Sequence, residues 1–216
     1  MSKLPEIGTK ISLTDKAYEI IKDAIMTNIF KPGELLIEEK LAEQLAISRT
    51  PLRAALRKLA YDHLVEINSS RNVIVANIGQ KDVEEITVVR EVLEPLAVKE
   101  LENNIGEDEL KKLEEILCRQ KKAVLEDNYE ELIKMEYEFH VAIGELTHNK
   151  WLHGMLKDIN TIVQRYLILS GSLNKYKEVA IKEHEVIISE IRQGNYDKAV
   201  ESMKCHISNV SSRMLK

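Results

Sequence analysis

Four side chains in the second half of the chain could together hold a metal ion. Glu136 and His140 stand four residues apart, so on a helix they lie on one face, one above the other. His184 and His206 are spaced so that two helices joined by a turn could bring them to similar depth. One carboxylate and three imidazoles from three helices suit a borderline divalent ion such as zinc or nickel, with positions left open for water or a ligand. The spacing also suits a plainer arrangement, a surface Glu/His pair and two unrelated histidines. A second set of residues is basic: Arg49, Arg53 and Arg57 recur every four residues. Exposed at the start of a helix, such a row can give paired hydrogen bonds to a guanine edge or clamp phosphates. A solvated basic face is the alternative.

The elements that would position the arginines can be read from Ile37 to Leu59. Leu41, Ala42 and Leu45 have helical spacing, Ala46 and Ile47 close a first helix, and Ser48 stands as N-cap for a second that begins at Arg49 or Thr50. Pro51 falls in that helix's first turn, where its missing N–H costs little. Leu52, Ala55, Leu56 and Leu59 form the packing stripe opposite the arginines. Two strand-like runs, 63–67 and 73–76, flank a polar turn, which predicts a hairpin with Arg71 near its tip. Ahead of these, residues 1–12 read as an arm, and Thr14 is the expected cap of a helix packed through Ala17, Ile20, Ile21, Ala24 and Ile25.

The stretch KPGELLIEEKLAEQLAISRTPLRAALRKLAYDHLVEI resembles the winged helix-turn-helix of the GntR family of bacterial transcription regulators, over roughly residues 11–77. The resemblance implies DNA contacts at Arg49, Thr50, Arg53, Arg57 and Arg71. It departs at Asn72, where the family usually has Gly, and Asn is expected to keep the turn by adopting left-handed angles.

The polar stretch 77–81 marks a boundary between a winged head, 1–78, and a helical domain, 79–216. In the second domain no strand is evident. Six amphipathic helices are expected, beginning near residues 82, 107, 129, 149, 175 and 196, packed as an antiparallel bundle. The fold class is therefore mainly α. Trp151 and Tyr166 are assigned to its core, and His63, His148 and His153 to structural positions.

MEYEFHVAI, THNKWL, KEHEVIISEIRQGNYDKAV and MKCHI are similar to the ligand-sensing FCD domain of the FadR branch, in its six-helix form, over roughly residues 82–213. That resemblance implies a divalent ion, zinc or nickel, held by Glu136, His140, His184 and His206, with Glu136 standing where Asp is more usual. Arg90 and Glu94, four apart in REVLEPLA, match the family's first sensing helix. They read either as a salt bridge or as an effector-carboxylate site helped by Gln164 and Arg165.

Composition sets the remaining bounds. The chain has 216 residues and a formal net charge of −5, with 11 Lys/Arg and 10 Asp/Glu in residues 1–78, which leaves 20 and 26 for the rest. A near-neutral head on an acidic body fits local DNA reading rather than general nucleic-acid binding. Cys118 and Cys205 suggest no disulfide framework, and no run is apolar enough for a signal peptide or membrane span, so a cytoplasmic protein is expected. The leading reading is a homodimeric regulator that binds a near-palindromic operator and a small carboxylate effector. The alternatives are a sensor for which the ion is the signal, and a metal-dependent hydrolase.

Overall fold

The computed structural model describes residues 12–215, which form two compact units divided between Asn77 and Ile78. The expected arm lies outside the described residues except for Ser12. That residue, not Thr14, caps α1 (Leu13–Met26): its hydroxyl accepts from the Asp15 amide. The cap moves because Thr14 already lies within the helix, whereas Ser12 has the extended backbone a cap needs.

The first unit continues with β1 (Leu35–Leu36), α2 (Glu38–Gln44), α3 (Arg49–Tyr61), β2 (Val65–Ile67) and β3 (Val73–Val75). Ser48 occupies the N-cap of α3, though its side chain makes no capping bond. Leu52, Ala55, Leu56 and Leu59 are buried, and the three leucines pack with Ile21 and Ile25 of α1, Leu41 of α2 and Val65, Val73 and Val75 of the strands. Each such leucine contributes about 1.5–3 kcal/mol by leaving water, which holds a small head together.

The strands form an antiparallel sheet in the order β1-β3-β2, with Leu35 opposite Ile74 and Glu66 opposite Ile74 on the other side. At the tip between β2 and β3 the left-handed residue is Arg71 (φ 63°), not Asn72. The turn survives by another route. The Asn68 side chain accepts from the Asn72 amide at 2.9 Å, and the Asn68 amide donates to the Asn72 carbonyl at 3.0 Å.

The second unit holds α4 (Gln80–Glu100), a short 3-10 turn (Leu101–Asn103), α5 (Glu107–Leu125), α6 (Tyr129–Leu146), α7 (Lys150–Ser170), α8 (Ser172–Arg192) and α9 (Tyr196–Met214). The connections are short and polar, and each stop has a local cause. Asn149 caps α7 by accepting from the Trp151 and Leu152 amides, Gly171 ends α7 in the left-handed region (φ 63°), and Gly194 (φ 72°) turns α8 into α9. Helix α8 begins at Ser172 rather than 175, because a short helical turn is joined to it across non-helical Tyr176. Helix α4 packs chiefly on α9, α6 lies between α5 and α7, and α8 packs on α9 and α5. The bundle core runs through all six helices and includes Leu113, Phe139, Leu156, Ile187 and Ile207. No helix among the described residues is long and apolar enough to cross a membrane.

Trp151 is not in that core. It is 71% exposed, and Met155 one turn on is 51% exposed. The stripe that packs α7 runs instead through Leu152, Leu156, Asn160, Val163 and Leu167. Tyr166 is half-buried and donates to the Met214 carbonyl at 3.0 Å.

Gly144 is where α6 and α7 come closest: a Cβ added there would meet Leu156 Cδ1 at 2.9 Å and His153 Cα at 3.4 Å. Gly144→Val is therefore expected to push the two helices apart and cost about 1–3 kcal/mol. Thermal denaturation checks this, and an unchanged melting temperature would contradict the close packing.

Candidate functional site

On the head, the arginine row falls as its spacing implies. Arg49, Thr50, Arg53 and Arg57 are exposed on the first two turns and middle of α3. Arg53, Arg57 and Arg71 line one groove between α3 and the β2–β3 hairpin, together with Glu38, Ile67 and Val73. Two of the arginines are held by acidic residues of α2. Arg49 Nη2 contacts Glu39 at 2.8 Å, and Arg53 Nε contacts Glu38 at 2.8 Å. Such exposed pairs are worth little, about 0–1 kcal/mol, so they orient the side chains without locking them away from an incoming anion.

In the bundle, Glu136 and His140 from α6, His184 from α8 and His206 from α9 converge, each offering one ligand atom within 4.8 Å of the others, and all four are buried. The separations are 3.2 Å between the Nε2 atoms of His184 and His206, and 3.3 Å between those of His206 and His140. Glu136 Oε1 lies 3.6 Å from His140 Nε2 and 3.9 Å from His184 Nε2.

The opposite nitrogen of each ring is occupied. His140 Nδ1 is bound to Glu94, His184 Nδ1 to Gln120 Oε1 at 3.0 Å, and His206 Nδ1 to Glu183 at 2.8 Å. Gln120 donates its Nε2 to the Met135 carbonyl, which leaves its Oε1 as acceptor and makes His184 Nδ1 the donor. A ring that donates from Nδ1 presents a lone pair at Nε2. Phe139 stacks on His184 with centroids 3.7 Å apart and fixes the ring plane.

The electrostatics follow from burial and partners. Burial pushes His184 well below its ordinary value and also lowers His206, so both favour the neutral form that ligates metals. Burial acts to raise Glu136 and Glu94, but it is outweighed: His184 and His140 hold Glu136 well below the usual carboxylate range, and Arg90 and His140 do the same for Glu94. Burial opposes protonation of His140, yet Glu94 and Glu136 on either side raise it.

With the rings neutral, three imidazole lone pairs and a carboxylate oxygen face one another at these distances, an all-acceptor set that suits a cation between them. Bonds of about 2.0–2.1 Å to a tetrahedral ion place ligand atoms roughly 3.3 Å apart, close to the shorter separations. The donor set and its spacing fit a divalent metal.

Arg90 and Glu94 form a fully buried pair, Nε to Oε1 at 2.6 Å, and Glu94 joins that pair to His140. The salt bridge and the site are thus the same structure. Arg90 Nη1 is buried with no hydrogen-bond partner among the described residues. A small cavity of about 10 Å³, room for about one water, lies beside Glu136 and is lined also by Leu167, Tyr176, Ala180, Val210 and Arg213. Neither Gln164, which is half-buried, nor Arg165, which is buried, is among its lining residues. Nor is Arg90.

Sequence reasoning does not reach Glu94 as a ligand orienter, nor Gln120, Glu183 and Arg213. Gln120 carries a signal, since it interrupts the stripe Leu110, Leu113, Leu117 on α5 with a polar side chain that is 0% exposed and so must have a buried partner. Of the other histidines, His63 and His148 are exposed left-handed residues at the ends of α3 and α6, and His153 is half-buried on α7, none of them in the cluster.

Comparison with known proteins yields two family matches. Residues 13–75 match the bacterial regulatory proteins of the gntR family, and residues 85–209 match the FCD domain. Over 195 residues the chain is 31% identical to the HTH-type transcriptional regulator YdhC of Bacillus subtilis (strain 168), covering 89% of this chain and 86% of that one. It is 22% identical over 199 residues to the HTH-type transcriptional repressor RspR of Escherichia coli (strain K12), covering 92% and 87%. Among solved structures, E. coli McbR/YncC superposes with a TM-score of 0.81 at 22% identity, over 95% of this chain and 98% of that one.

Proposed function

The chain belongs to the gntR family of bacterial regulatory proteins and carries an FCD domain, which makes it a DNA-binding transcription regulator and not an enzyme, and from that premise we propose a cytoplasmic, homodimeric repressor whose bundle holds a divalent metal and reads a small organic acid. Residues 1–78 are the DNA-binding domain in this reading, and 79–216 the sensing and dimerising one. Arg49, Thr50, Arg53, Arg57 and Arg71 contact a near-palindromic operator, one half-site per head.

The observation that carries the sensing half is the cluster itself: three Nε2 atoms and Glu136 Oε1 facing one another, each imidazole held from behind by a carboxylate or amide. Glu136, His140, His184 and His206 would hold the ion, zinc or nickel by donor type. A bound ion with an open position supplies a Lewis-acidic anchor for a carboxylate. The chain's own part is to shape and charge the cavity. Arg213 stands in its wall with Nε on the Asn209 carbonyl at 3.0 Å, Nη2 on Glu183 at 2.5 Å, and Nη1 buried without a hydrogen-bond partner among the described residues. It is placed to receive an anionic group there. Arg90 acts one step behind, through Glu94 and His140, and its own unpartnered Nη1 offers a second donor when the helices shift.

The test begins with metal content and operator affinity, each measured with and without chelator, and then a thermal-shift screen of short carboxylic and sugar acids. Operator release on adding an acid to the metal-loaded protein supports the proposal. Operator affinity that follows metal alone and ignores every acid supports the ion as the signal instead. Charge-assisted hydrogen bonds are worth about 1.5–3 kcal/mol, so Arg213→Gln should weaken acid binding roughly 10- to 100-fold while metal content stays at the wild-type level. An unchanged acid response in that variant removes Arg213 from the site.

A further inference from the structure

The cluster of Glu136, His140, His184 and His206 is buried, and the cavity of about 10 Å³ beside it has room for about one water. Pockets that take small molecules run to about 300–1,000 Å³, so no organic acid fits while every wall stays in place. One wall has to give. Glu136 and Val210 lie well inside α6 and α9. The corner between α7 and α8, by contrast, supplies Ser172, Leu173 and Tyr176 to the lining.

That corner is broken twice. Gly171 is left-handed (φ 63°) and Tyr176 leaves the helical region (φ −122°, ψ 17°), so the short turn 172–175 is joined to its neighbours at two points outside regular helix. Hinges are made of a few element-terminal residues of this kind. A Cβ added at Gly171 would meet nothing within 4 Å, so there is space around the first hinge.

Most of the ties on the turn face water. Lys177 reaches Asp127 at 3.1 Å, a carboxylate that is 88% exposed, and the hydroxyls of Ser170 and Ser172 bond at 2.9 Å on the surface. The Asn174 backbone amide bonds the half-buried Tyr129 hydroxyl, and the Arg213 guanidinium lies over the Tyr176 ring, 6.0 Å from its centroid. The buried tie is Leu173, which is 5% exposed and belongs to the bundle core.

We propose that Leu173 is the stopper of a cryptic pocket. The turn 172–175 swings out on Gly171 and Tyr176, and the space its leucine leaves merges with the cavity beside Glu136. The inference rests on the metal and organic-acid reading above and gives it an entrance and a size limit. The vacated volume is that of one leucine side chain, which suits a short carboxylic acid and excludes a long-chain one. Arg213 borders both the cavity and Tyr176, so an entering anion meets its buried Nη1. Exposing one leucine makes the open form roughly 10- to 150-fold scarcer, so it is reached without unfolding. A ligand that binds only the open form makes it dominant.

Thiol labelling of the full chain tests the stopper with neither metal nor acid present. In a Cys118→Ser, Cys205→Ser background, Leu173→Cys is expected to react with iodoacetamide roughly 100-fold faster than Leu167→Cys, a control on α7 that lines the same cavity and is 3% exposed. Equal rates in two folded proteins overturn the proposal, because then only general unfolding reaches position 173. Zinc transfer tests the route. Leu173→Ala should speed zinc uptake and its release to EDTA together, each by roughly 10-fold or more, at unchanged affinity, since a stopper sets rates and not the equilibrium. Weaker zinc affinity with an unchanged uptake rate makes Leu173 a structural support and overturns the stopper. Straight-chain carboxylates from acetate to hexanoate test the pocket: on zinc-loaded protein they should raise the melting temperature of Leu173→Ala more than that of wild type, which must displace its leucine first. Equal shifts overturn the pocket. No zinc binding in wild type, or no shift in either protein, counts against the metal or the organic-acid reading, and the labelling contrast still decides the stopper.

Discussion

Replacing His140 and His184 together by alanine is expected to abolish metal binding and with it the chelator sensitivity of the protein's melting temperature. The two residues supply two of the four converging ligand atoms, and they come from different helices, α6 and α8, so the remaining Glu136 and His206 could offer only half a coordination shell. An ion that binds the folded chain and not the unfolded one stabilises it by about 2.7 kcal/mol at a hundredfold excess over its dissociation constant. For a chain of this size that amounts to a melting-temperature difference of roughly 5–10 °C. The double substitution also removes two buried rings, one of them stacked on Phe139, so its stability falls for packing reasons as well. The diagnostic is therefore the response to chelator. Wild type should lose stability when the ion is stripped, and the variant should show no further loss. Elemental analysis finding equal metal in both proteins would refute the ligand assignment.

A single replacement behind the ligands separates orientation from ligation. Gln120 and Glu183 touch no common centre, yet each fixes one imidazole by accepting from its Nδ1. Partners of this kind tune affinity by roughly 10- to 100-fold rather than abolishing it. Arg90 is different in kind. Its removal would leave Glu94 buried beside His140 with one counter-charge fewer, and breaking a buried pair on one side costs about 3–5 kcal/mol. At Arg90 and Glu94 the structure shows the salt bridge, joined through Glu94 to His140, and the effector role of Arg90 rests with the proposal above.

What is legible in the sequence is whatever rests on period and on local punctuation. The row Arg49, Arg53, Arg57 and the opposing stripe Leu52, Leu56, Leu59 follow from helical spacing alone, and the breaks at Gly171 and Gly194 follow from residue type. The shared depth of Glu136, His140, His184 and His206 follows partly from spacing and partly from family resemblance, since nothing local says that α8 and α9 turn those faces toward α6. The misreadings have a common origin in interactions that leave no period. Strand β1 is two residues long, too short to alternate, and exists because β3 pairs with it. The left-handed angle falls on Arg71 instead of Asn72 because the Asn68 side chain closes the turn from the other side. Trp151 reads as core because large aromatics usually are, but the first turn of α7 projects it outward while Leu152 turns in. The roles of Gln120 and Glu183 leave no trace in spacing, as their partners lie on other helices.

Arg53→Ala should cost the protein its discrimination of operator from other DNA while leaving its fold intact. The side chain is 57% exposed and its only described tie is the Glu38 contact through Nε, so the Nη1 and Nη2 fork remains turned toward whatever enters the groove it lines with Arg57 and Arg71. A good paired contact to a base edge carries about 1–3 kcal/mol of discrimination, and a dimer on two half-sites forfeits it twice, so operator affinity should fall by roughly 30-fold or more. Binding to unrelated DNA should change far less. The salt dependence tells base from phosphate. If Arg53 reads a base, the variant's operator affinity drops at every salt concentration with a nearly constant slope; if it grips a phosphate, the slope itself falls by about one for each phosphate no longer neutralised, and affinity drops on all sequences alike. The same measurement on Arg57→Ala and Arg71→Ala then sorts the rest of the groove. Wild-type operator affinity for Arg53→Ala at matched salt would mean that the first turns of α3 do not face DNA at all, and the assignment of the reading helix would have to be abandoned.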